Sequence, residues 1–153
     1  GSGSMAQRWS ALLAAQWSPA APRRHEICHQ VLPGLWLGGW TALGSDFSEL
    51  RRRGVTHVVS VLSADQRRMP SFVRGHLHIR VDDREEAAQE LGRRFPEICR
   101  FIDAARLEPE GCVLVHCGAG ISRAPTVVAS YLMWKFHVAP AEALRFVVAA
   151  RPC

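Results

Sequence analysis

Residues 112–123, Cys-Val-Leu-Val-His-Cys-Gly-Ala-Gly-Ile-Ser-Arg, set the tightest limit on what this chain can become. Cys112, Val113, Leu114 and Val115 read as a buried strand, and the run from Ala124 to Phe136 reads as a helix. Between them stands a short loop with Gly118 and Gly120. A strand, a tight glycine-bearing loop and a helix start make an anion cradle. Loop N–H groups turn inward, and the positive end of the helix points into the bowl. Cys117 stands at the start of that loop, in a field that favours thiolate. Beyond five intervening residues, Arg123 can grip two phosphate oxygens with its planar fork. A cation at a helix start opposes the dipole, so this position calls for an anion, and a bound phosphate supplies one. Gly118, Ala119, Gly120, Ile121 and Ser122 are the expected backbone donors, and the Ser122 hydroxyl can also serve the thiolate or cap the helix. His116 reads as an orienting residue that hydrogen-bonds nearby backbone.

These residues resemble the Cys-x5-Arg signature of the cysteine-based protein tyrosine phosphatase superfamily, and Gly-Ile-Ser-Arg-Ala-Pro-Thr with Tyr-Leu-Met resembles its dual-specificity branch. The upstream segments VLPGLWLGG (31–39), DFSELRRRG (46–54), VTHVVSVL (55–62), HIRVDD (78–83) and RFPEICRFID (94–103) follow that family's order and spacing. The resemblance covers residues 27–151. It implies an α/β domain over 26–153, trimmed at its C-terminal end, with one mostly parallel sheet flanked by helices on both sides. It also implies a metal-independent and cofactor-free phosphatase acting on phosphorylated protein through a cysteinyl phosphate. Cys117 would be the nucleophile and Arg123 the phosphate clamp.

The family's general acid is an aspartate after the strand that precedes the long helix. Matching Ile-Arg-Val-Asp-Asp puts it at Asp83, with Asp82 as the alternative. The family usually carries Ser or Thr after the arginine, whereas this chain has Ala124. That hydroxyl assists the departing thiolate, so its loss should slow breakdown of the intermediate. Plant glucan phosphatases resemble this chain in Arg-Ala-Pro and in Tyr131-Leu132-Met133-Trp134, which makes phosphorylated polysaccharide the second substrate class. A phospho-binding pseudophosphatase is the third reading, and intact Cys117, Arg123 and Asp83 speak against it. No added aromatic recognition loop is evident, which implies a pocket shallow enough for phosphoserine and phosphothreonine as well as phosphotyrosine. Residues 118–121 contain no lysine, which weighs against an inositol-phospholipid headgroup.

The 153 residues suit one domain with one core, and 48% are hydrophobic, so a packed fold is expected. No apolar run approaches the ~20 residues of a membrane span. Net charge is +5, and every basic residue except Lys135 is arginine. That balance attracts phosphorylated, acidic ligands, and Arg51-Arg52-Arg53 reads as a solvated helix end rather than a nucleic-acid patch. Five cysteines without a CxxC pair are not a disulfide framework and suit a reducing, intracellular setting, cytoplasmic or nuclear. Cys28, Cys99 and Cys112 read as plain buried thiols, each also a candidate redox partner for Cys117. His76 and His78 share one strand face, read as polar rather than metal-binding. Gly1–Ser4 reads as an expression scar, and 5–25 as an N-terminal extension whose arginines also resemble a mitochondrial leader.

Strands are expected at 27–32 and 35–38 around Pro33-Gly34, at 55–62, at 76–81 and at 112–116. Asp46 and Glu49 read as a capping box for a helix closed by Gly54. Leu91, Phe95, Ile98, Ile102 and Ala105 repeat at helical steps, with the main helix starting near Pro96. A helix from Ser122 to His137 and a last one from Pro140, with Leu144, Val147 and Val148 inward, complete the expectation.

Overall fold

The computed structural model describes residues 27–81, 86–118 and 123–150; the extension 5–25 and residues 151–153 lie outside the described residues. In chain order the elements are β1 (Cys28–Leu32), β2 (Leu35–Gly38), a 3-10 turn (Trp40–Ala42), α1 (Ser48–Arg53), β3 (His57–Val61), β4 (Gly75–Ile79), α2 (Glu86–Leu107), β5 (Val113–Cys117), α3 (Arg123–Phe136) and α4 (Pro140–Ala150). The five strands form one sheet in the order β1-β2-β5-β3-β4. Only the β1–β2 hairpin is antiparallel; β2–β5, β5–β3 and β3–β4 are parallel. The expected α/β fold with a mostly parallel sheet is the one observed.

Strand alternation divides the core into two layers. Val59, Val61, Val113 and Val115 face Ile98 and Ile102 of α2, Val127 and Tyr131 of α3, and Val147 of α4. Val58 and Leu114 face the other way, against Leu43, Leu50 of α1 and Val55. Strands covered on both faces read as continuous apolar runs, which is why residues 57–61 and 113–117 carry so few polar side chains. Gly34 turns the hairpin at φ +76°, and a side chain there would meet the Gly111 carbonyl at 2.8 Å.

Several boundaries differ from expectation. α1 starts at Ser48 rather than Asp46, because Phe47 adopts φ 58° and interrupts the helix there. Asp46 Oδ1 accepts from the Ser48 N–H at 3.1 Å, a turn before the helix rather than a cap. Glu49 does not close a capping box; it accepts from Arg52 and Arg53 and from the Cys28 thiol. The arginine run is solvated at Arg51 and Arg52 as expected, with Arg51 4.7 Å from the Phe72 ring centroid, while Arg53 is half-buried 4.6 Å from that of Trp36. Gly54 ends the helix as expected, in the left-handed region.

α2 is one helix from Glu86, with Pro96 inside it rather than at its start. Proline costs about 3 kcal/mol in a helix interior. The buried stripe of Leu91, Ile98, Cys99, Ile102 and Ala105 runs on both sides of it and offsets that cost. α4 is rotated relative to expectation. Val147 is buried with Ala143 and Ala150, while Leu144 and Val148 are 51% and 55% exposed. The two alanines let the helix lie close against the core, a fit that leucine on that face would prevent.

Away from the parallel strand ends, one polar cluster ties α2, α3 and the hairpin together. The buried Tyr131 hydroxyl donates to Asp103 Oδ1 at 2.9 Å and accepts from Arg106 Nη1 at 2.8 Å. Arg106 Nη2 donates to the Pro33 carbonyl at 3.0 Å, and Lys135 pairs with Asp103 at 2.9 Å. Burial pushes the Tyr131 phenol up to about 12, so it stays a donor throughout the physiological range. Tyr131→Phe keeps the ring and removes one buried bond from each partner. Urea unfolding should show a loss of about 1–3 kcal/mol; an unchanged midpoint would show the cluster to be ornamental.

Candidate active site

β5 runs through the middle of the sheet and ends in Cys117, one residue later than expected, so the cysteine closes the strand instead of opening the loop. Both edges of β5 are paired, to β2 and β3, which fixes Cys117 opposite Val61. The residue is 3% exposed. Gly118 follows it, and Ala119, Gly120, Ile121 and Ser122 lie outside the described residues. Arg123 opens α3, and Pro125 sits in the first turn, where its missing N–H costs nothing.

The Arg123 guanidinium reaches across to the other strand end. Its Nη1 donates to the Val81 carbonyl at 2.9 Å. Val81 is buried and directly precedes Asp82 and Asp83, which lie outside the described residues. The helix start and the chain leading to both acid candidates are therefore tied at one point.

A cavity of about 410 Å³ opens at the carboxyl ends of β3 and β5, where parallel sheets hold their ligands. Cys117 and His116 form its floor, and Thr41, Leu43, Leu62 and Ala64 give it mostly apolar walls. Arg67 stands on the rim, donating to the Gly44 carbonyl at 2.7 Å with its guanidinium 4.5 Å from the Phe47 ring centroid.

The other described cysteines behave as expected of plain thiols. All are free and buried. Burial pushes Cys28 up to about 12, with Glu49 adding to the effect, and Cys112 up to about 11. Cys99 is raised for the same reason. Among the described residues no group of three or more His, Cys, Asp or Glu is placed to hold a metal ion.

His116 points to the sheet face opposite Cys117. Its Nε2 lies 2.6 Å from Ser60 Oγ, and Ser60 Oγ lies 2.8 Å from His76 Nε2. Sequence reasoning missed Ser60 and His76 as site residues. The signal was present: Ser60 is the one small polar residue in His-Val-Val-Ser-Val, and the register sets it opposite both His116 and His78. Burial first, then the charge on His76, lowers the His116 ring to about 4.

A family model described as the dual specificity phosphatase catalytic domain matches residues 35–153. The chain belongs to the dual specificity phosphatase family. It is 37% identical over 124 residues to mouse dual specificity protein phosphatase 22, covering 81% of this chain and 64% of that protein. It is 36% identical over 121 residues to human dual specificity protein phosphatase 26, covering 77% and 56%. The chain thus spans less than two thirds of the length of these curated relatives. Among solved structures, human DUSP28 superposes with a TM-score of 0.70 at 31% identity, covering 89% of this chain and 86% of that one. DUSP15 superposes with a TM-score of 0.72 at 34% identity, covering 82% and 76%.

The His116 environment gives this dual specificity phosphatase domain an acid-sensitive core. Its folded value lies below the unfolded 6.5, so between those two values the unfolded chain binds a proton that the folded chain refuses. Stability from this ring is complete above pH 6.5 and falls by about 3 kcal/mol towards pH 4. His116→Asn should remove that part of the acid limb, so its urea midpoints at neutral and acidic pH should lie closer together than those of the unmodified chain. Equal spacing in both proteins would refute the assignment.

Proposed function

We propose that this domain is a cysteine-dependent protein phosphatase hydrolysing phosphotyrosine and phosphoserine or phosphothreonine. The observation that carries the reading is Cys117, closing the central strand on the floor of an open cavity, with Arg123 opening the next helix. Membership of the dual specificity phosphatase family supports it.

In this mechanism Cys117 Sγ attacks phosphorus as thiolate, the phosphorus–oxygen bond to the side chain breaks, and Asp83 protonates the departing oxygen. Water then attacks the cysteinyl phosphate and gives a proton back to the Asp83 carboxylate, the sulfur leaves as thiolate, and inorganic phosphate departs. Arg123 and the loop amides of residues 118–122 hold the equatorial oxygens, whose charge is best matched in the transition state. Asp82 is the alternative acid. The arginine's bond to the Val81 carbonyl favours an acid just beyond that point, since it tethers this segment to the phosphate clamp.

Phosphorylated glucan is the second reading. It rests on Ala124, which is fully buried at the start of α3, and on Trp134, a 42% exposed ring stacked on Tyr131. A substrate panel of phosphopeptides and phosphorylated amylopectin separates the two.

Cys117→Ser should abolish release of p-nitrophenol from its phosphate ester while orthovanadate or phosphate still binds. Asp83→Asn should cost most with poor leaving groups. An unchanged Cys117→Ser rate ends the mechanism, and a larger loss in Asp82→Asn moves the acid.

Ala124 lacks the hydroxyl that the family usually carries after the arginine to help the sulfur depart in the second step. Rapid-quench traces should show a burst of product followed by slower turnover. Ala124→Ser should shrink the burst and raise the steady rate; burst-free traces from the unmodified chain would show that the second step is not limiting.

A further inference from the structure

Behind the cavity a chain of hydrogen bonds runs from the surface to the residue beside Cys117. Gln66 Nε2 lies 3.3 Å from His76 Nδ1, His76 Nε2 lies 2.8 Å from Ser60 Oγ, and Ser60 Oγ lies 2.6 Å from His116 Nε2. An amide nitrogen only donates, so His76 Nδ1 accepts and its proton sits on Nε2. That proton goes to Ser60 Oγ. The hydroxyl has a single hydrogen and gives it to His116 Nε2, which leaves the His116 proton on Nδ1.

We infer that His76 is a positioning residue, which through Ser60 holds His116 in the tautomer with its proton on Nδ1. Without a donor at His76, the Ser60 hydroxyl can either donate to His116 or accept from it, and both tautomers coexist. The question arises only for uncharged rings, and both are uncharged at neutral pH. Burial first and then His78 lower His76, and burial holds His116 near 4. Arg67 and His78 add to the lowering of His116.

The Nδ1 end supports the same assignment. That nitrogen is buried and has no bond of full hydrogen-bonding geometry. The Cys117 backbone nonetheless acts on the ring in the sense that favours its protonation, the sense of an accepting carbonyl. The peptide joining Cys117 to Gly118 is planar and trans, so its N–H points opposite to its C=O. A carbonyl drawn towards His116 turns the Gly118 N–H away from that ring. His76 therefore orients the first amide of the loop at two removes. Its effect on turnover rests on the proposed role of Cys117; its effect on the tautomer does not.

The test is long-range proton–nitrogen NMR of the imidazoles in the full chain at neutral pH. In the unmodified protein the expected unprotonated nitrogens are His116 Nε2 and His76 Nδ1. His76→Phe should bring the His116 signals to an average of both tautomers, and His76→Gln, whose amide reaches the Nε2 position, should restore them. Gln66→Leu, at an exposed position that spares the sheet, removes the outer donor and should mix the tautomers too. With p-nitrophenyl phosphate, His76→Phe should lower kcat about fivefold, the size of one neutral hydrogen bond, with KM little changed and Gln restoring the rate. A His116 proton on Nε2 in the unmodified chain overturns the inference, as does a tautomer indifferent to both His76→Phe and Gln66→Leu. An unmodified chain that turns over no aryl phosphate overturns the phosphatase reading instead, and the tautomer alone then decides the role of His76.

Discussion

β5 is hydrogen-bonded along both edges, and all five of its side chains are buried. Nothing in it can shift without breaking two ladders and opening two layers of core. The strand delivers Cys117 to one place, at the carboxyl end of the sheet. The two layers around it have different tasks. On one side α2, α3 and α4 supply bulk and hold the start of α3 in place. On the other, α1 covers a smaller layer, and the cavity opens past the carboxyl ends of β3 and β5 with both His116 and Cys117 in its lining. A reacting group gains most from being held before its partner arrives, and a fully paired strand is the stiffest holder a small domain has.

Much of this was legible in the residues. Val113 to Val115 pointed to a buried strand, and they form the middle strand of the sheet. Pro33-Gly34 marked a hairpin and Gly54 a helix end, because those backbone states have few alternatives. The misreadings share a cause. Pro96 reads locally as a start, but the burial of Leu91 on its upstream side outweighed the local penalty. Leu144 and Val148 read as inward by hydrophobicity, yet α4 turns Ala143, Val147 and Ala150 to the core, where the two alanines allow a close approach. Tertiary packing decided both, and a single sequence carries packing only faintly.

The site divides in the same way. Cys117 and Arg123 announce themselves by spacing, since an anion cradle needs that order of strand, loop and helix. Ser60 and His76 do not, because their meaning depends on register. Only when β3 lies between β4 and β5 does Ser60 come to stand between two imidazoles. His116 and Cys117, adjacent in sequence, then occupy opposite sides of one sheet. The sulfur is served from the helical side and the peptide behind it from the polar side, so neither set of supports crowds the other.

The bond from Arg123 to the Val81 carbonyl joins two stretches 42 positions apart. It fastens the first residue of α3 to the stretch that follows β4, so the helix start and that strand end are held to one another through a single side chain.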